Sequence, residues 1–72
     1  MPATIAERIE ARKMAREAWA MSGHDPEVAA EIFKELGREK SINPDTIYVL
    51  LQIALELYKL WREWKDQDDA QA

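Results

Sequence analysis

Tyr48–Trp64 reads YVLLQIALELYKLWREW, and the spacing of its apolar residues decides the fold. On a helix turning about 100° per residue, Leu50, Ile53, Leu57, Leu60 and Trp64 recur at a 3-4-3-4 spacing, a heptad seam. Ile47, Leu51, Ala54, Tyr58 and Trp61 recur at 4-3-4-3 and form a second seam, roughly 80° around the helix from the first. Gln52, Glu56, Lys59 and Glu63 are left as one continuous polar stripe. A surface helix normally carries one apolar stripe little more than about 100° wide, and this one carries about twice that. Such a helix either lies between two neighbours of its own chain, or faces its own chain with one seam and another chain with the other.

Boundaries follow from caps. Asn43-Pro44 opens this third helix, with Ile42 and Ile47 placed as a hydrophobic staple. Asp25-Pro26 repeats the signal upstream and opens a second helix. There Val28, Ala29, Ile32, Phe33 and Leu36 make one narrow apolar face, and Gly37 is expected to end it. Thr4 with Glu7 is a capping box that opens the first helix, and the SGHDP segment (residues 22–26) stops it. The expectation is an all-α, three-helix domain with helices at about 4–21, 26–36 and 44–65. It spans residues 1–65, followed by an acidic, disordered tail over 66–72.

Seventy-two residues allow one domain, marginal by itself without disulfides, metal or association. There is no cysteine, which excludes disulfides, thiol nucleophiles and thiolate zinc sites. The net charge of −4 is not that of a general nucleic-acid or anionic-membrane binder. No secretory signal is read at the start, and Gln52, Glu56 and Lys59 interrupt the one long apolar run, so no transmembrane segment is expected. A cytoplasmic location fits these features.

Helix 1 has Ala11, Met14, Ala15, Ala18 and Met21 on one side, small or flexible residues suited to close packing. Around its edge, Ile5, Ile9 and Trp19 interleave with Arg8, Arg12 and Arg16, an i, i+4, i+8 row. No Asp or Glu lies three or four residues from any of these arginines, so the row is self-repelling within its helix. It is either an anion-contact surface, with Trp19 as a stacking group, or is neutralised, within one chain or across a dimer, by Glu27, Glu31 and Glu35, a matching row on helix 2. The acidic chain favours neutralisation. A helix-turn-helix reading fails on the polar stripe of helix 3, where Glu56 and Glu63 have the wrong sign for phosphate.

Catalysis finds little support. His24 is the one histidine, and Ser22, His24 and Asp25 lie too close in sequence to assemble a triad. His24 and Asp25 give at most two metal ligands, and Glu27, Glu31 and Glu35 lack the Glu-x-x-His companion of a helical di-metal site. No phosphate loop accompanies Gly23 or Gly37. No catalytic, metal or cofactor site is expected. The expected activity is association, first with a second copy and then with another protein, through the ten residues of the two seams. The runner-up is a small nucleic-acid-associated regulator that contacts phosphates through Arg8, Arg12 and Arg16.

Overall fold

A computed structural model describes residues 4–71, with side chains through Gln67. It is all-α: α1 (Ile5–Met21), α2 (Pro26–Glu39) and α3 (Pro44–Gln71) pack against one another in a three-helix domain. Each start carries the cap that its sequence predicts. Thr4 Oγ1 accepts from Glu7 N at 3.1 Å while Glu7 Oε1 accepts from Thr4 N at 3.0 Å. Asp25 Oδ1 accepts from Glu27 N and Val28 N, and Asn43 Oδ1 accepts from Asp45 N at 2.8 Å.

The ends differ from expectation in two places. Gly37 does not terminate α2. It lies inside the helix, buried, and the helix runs to Glu39. The left-handed residue that turns the chain out is Ser41, φ 58°, with Ser41 N donating to Arg38 O and Ile42 N to Gly37 O, each at 3.0 Å. This is a Schellman ending with serine in the place usually held by glycine. The second difference is α3, which continues to Gln71 instead of ending near Lys65. The segment expected as a tail contains neither Gly nor Pro up to that point, so nothing in it breaks the helix.

The α1 ending shows the same bonding with the expected glycine. Gly23 (φ 70°) donates to Ala20 O, and His24 N donates to Trp19 O. His24 also has a positive φ of 68°. Its ring lies on Trp19, 5.4 Å between centroids and 21° between planes. This stack takes the place of the apolar contact that usually closes such a motif.

The core explains the alanines. Ala11, Ala15 and Ala18 of α1, Ala29 of α2 and Ala54 of α3 are fully buried, and they let the helices approach closely. Tyr58, Phe33, Met14 and Leu50 are the largest fully buried side chains and fill the space between. Trp19 joins them from the edge, stacked on Tyr58 (5.4 Å, 13°) and tilted against Trp61 (5.8 Å). α1 and α3 run in the same direction. Ala6 and Glu10 border a depression with Thr46 and Leu50, while Trp19 meets Tyr58 and Trp61. At about 1.5 Å per residue, the 28-residue α3 matches the 42 Å long axis of the molecule. The 17-residue α1 is shorter and ends beside Trp61, so α3 projects past its cover.

A candidate association face

The two seams of α3 have different fates. Ile47, Leu51, Ala54 and Tyr58 are buried, and Trp61 is half-buried against the aromatic cluster. This second seam faces α1 and α2. The first seam changes along its length. Leu50 is buried, Ile53 and Leu57 are half-buried, Leu60 is 40% exposed and Trp64 is 54% exposed. The structure therefore brings the ten seam residues onto one helix with unequal cover. Eight belong to the domain's own core or pack against it, and of the ten only Leu60 and Trp64 are exposed.

Ile53, Leu57 and Leu60 of the first seam line a groove of about 430 Å³ together with Glu56 of α3 and with Arg8 and Arg12 of α1. Arg12 also borders a shallower depression with Ile9, Lys13 and Arg16. Arg8 and Arg12 thus stand beside the open seam, and Arg16 lies farther along α1. Ile5 (76% exposed) and Ile9 (47% exposed) lie on the same side of α1, interleaved with them. These two isoleucines were visible in the sequence as part of the arginine edge.

Within one chain, α2 does not make the expected neutralisation. Glu31 pairs with Lys34 at 3.2 Å and Glu35 with Arg38, both within α2. The bridge between helices is Lys40 to Glu10, at 3.1 Å. Among the described residues no carboxylate lies within ion-pair distance of Arg8, Arg12 or Arg16. The physical reason is range: a glutamate reaches a cation one turn away on its own helix without bending the bundle. Trp19, read from sequence as a stacking group beside the arginines, is engaged inside the domain by His24, Tyr58 and Trp61.

Structural duties occupy the SGHDP segment. Ser22 Oγ donates to Trp19 O at 2.9 Å and accepts from Asp25 N at 3.2 Å. The Asp25 carboxylate caps α2 and the His24 ring covers Trp19. Among the described residues no group of three or more metal-ligating side chains comes together, and no helix is long and apolar enough to cross a membrane. Burial drives the Tyr58 phenol well above its usual value near 10, and its hydroxyl has no hydrogen-bond partner among the described residues. Bonds from the Thr4 backbone and hydroxyl hold the Glu7 carboxyl below its ordinary value.

Comparison with known proteins returns no match: no family model, no curated protein and no solved structure is similar to this chain.

Proposed function

We propose that this protein is a non-enzymatic association module that pairs with a second copy of itself through the open seam of α3. One observation carries the reading: the heptad spacing of Leu50, Ile53, Leu57, Leu60 and Trp64 continues past the point where the domain covers it, leaving Leu60 and Trp64 exposed. A regular apolar seam with a tryptophan at its open end is the composition of an interface centre. The size of the chain adds to this, because a domain this small gains much of its stability from any surface it can bury. Other protein partners would use the same face.

Solution mass against concentration tests it. The expected result is a mass of at least twice the 8.4 kDa chain, returning to one chain in Trp64→Glu with helix content unchanged. A single-chain mass from micromolar to millimolar concentration removes the proposal.

A second reading is phosphate contact by the arginine row, favoured by the lack of ion pairs to Arg8, Arg12 and Arg16 among the described residues. Glu56 on the same groove and the net charge of −4 weigh against it. Its test is binding of duplex DNA at low salt that weakens steeply as salt rises. No binding at low salt excludes it.

A further inference from the structure

We infer that two copies of the chain pair with their α3 helices parallel and in register, so that Arg8 and Arg12 of each protomer face Glu56 of the other. This rests on the self-association proposed above and adds its orientation. The groove on which it stands has unlike lips. Arg8 and Arg12 form the α1 lip, Ile53, Leu57 and Leu60 the floor, and Glu56 the far lip. Glu63 follows Glu56 by seven residues, two turns along the same exposed stripe.

Two-fold symmetry turns unlike lips into a choice of direction. An axis lying along the helices makes the two α3 helices parallel and exchanges the lips, so arginine faces glutamate on both sides. An axis across the helices makes them antiparallel and keeps each lip on its own side. Arginine then faces arginine, and glutamate faces glutamate. Like charges brought together across an interface are strongly unfavourable, so the charge pattern selects the parallel arrangement.

Heptad positions agree. With Leu50, Leu57 and Trp64 at a and Ile53 and Leu60 at d, Glu56 and Glu63 occupy g. In a parallel pair a g residue meets the e side of its partner helix. Here the e positions, Ala54 and Trp61, are turned into the domain and covered. α1 lies on that side of α3, and its arginines supply the cations that e residues would otherwise provide. Arg8 and Arg12 share the groove with Glu56, whereas Glu63 lies level with the end of α1, past Trp61, so Glu56 is the carboxylate at their level.

The absence of cysteine makes the direct test clean. Ile53→Cys and Trp64→Cys are oxidised separately and as a mixture, beside a mass measurement on the unmodified chain. In a parallel, in-register pair every residue faces its own counterpart, so each variant cross-links to itself. An antiparallel pair can place at most one of two positions about 16 Å apart near its axis. A dimeric mass with cross-linking only in the mixture, or at one position alone, overturns the orientation while leaving self-association standing. A single-chain mass removes both. Charge reversal supplies an independent sign. In the parallel pair Arg12→Glu weakens association by roughly tenfold, and Glu56→Arg in the same chain restores it. Tighter association of Arg12→Glu alone would mean that arginine faces arginine, and would overturn the inference.

Discussion

A β-carbon on Gly37 would stand 2.8 Å from Cγ1 and 2.9 Å from Cδ1 of Ile47. The glycine of α2 is therefore the seat for the first buried side chain of α3, which explains why it lies inside a helix. Gly37→Ala gains up to about 1 kcal/mol of helix propensity but forces the branched Ile47 side chain aside, an overpacking cost of about 1–3 kcal/mol. The expected result is a net loss of about 1 kcal/mol by urea denaturation. In the Ile47→Ala background the same substitution becomes neutral or stabilising. If Gly37→Ala stabilises the unmodified protein, the contact does not set the position of α3.

Leu50 and Leu60 are the same residue type on the same seam, yet one is 1% exposed and the other 40%. Leu50→Ala is expected to cost about 3 kcal/mol, the cavity-forming class. Leu60→Ala should cost under about 1 kcal/mol when measured at a dilution where the chain is monomeric. Raising protein concentration should widen the loss for Leu60→Ala and leave that for Leu50→Ala unchanged. Equal losses at high dilution would place Leu60 in the domain core.

The Tyr58 hydroxyl is buried without a partner among the described residues, and burial raises its pKa. A group whose folded pKa is raised contributes stability that is complete below the unfolded value, near 10, and is lost as pH climbs toward the folded one. Each pH unit in that window removes up to about 1.4 kcal/mol. Tyr58→Phe should match or exceed the parent stability at pH 7, because it removes an unsatisfied polar group. It should also lose the part of the alkaline decline that Tyr58 causes. Thermal melts of both proteins between about pH 8 and pH 12 report the difference. Destabilisation at pH 7 by more than about 1 kcal/mol would show that the hydroxyl has a partner.

Glu7 titrates in the opposite sense. Its carboxyl is held below the ordinary value by the Thr4 backbone and hydroxyl. The cap is therefore intact above the unfolded value and is lost as pH falls through the lower, folded one. In carbon-detected NMR, the Glu7 carboxyl should titrate below the ordinary glutamate value, with fraying at the start of α1 following it. Titration of Glu7 at the ordinary glutamate value would contradict the capping box.

Asp25 caps α2 through two backbone N–H groups. Asp25→Ala should cost about 1 kcal/mol, and Asp25→Asn or Asp25→Ser much less, in the same urea assay. A comparable loss in all three would assign the effect to charge instead of capping.

Much of this protein is local, and the sequence alone determines it. Thr4, Asp25 and Asn43 start helices because a short polar side chain reaches N–H groups two or three residues away, whatever the rest of the chain does. The two seams of α3 are equally local, being a matter of spacing at 3.6 residues per turn. Three things required the tertiary structure. Gly37 reads as a stop in isolation, and only the approach of Ile47 makes it a contact residue. Glu31 and Glu35 could neutralise α1 or their own helix, and that choice depends on which cation each reaches. The fate of the seams depends on where α1 ends. Heptad spacing places Leu50 and Trp64 on one line, but buried area comes from neighbouring helices. α1 covers the line at Leu50 and leaves it open by Trp64.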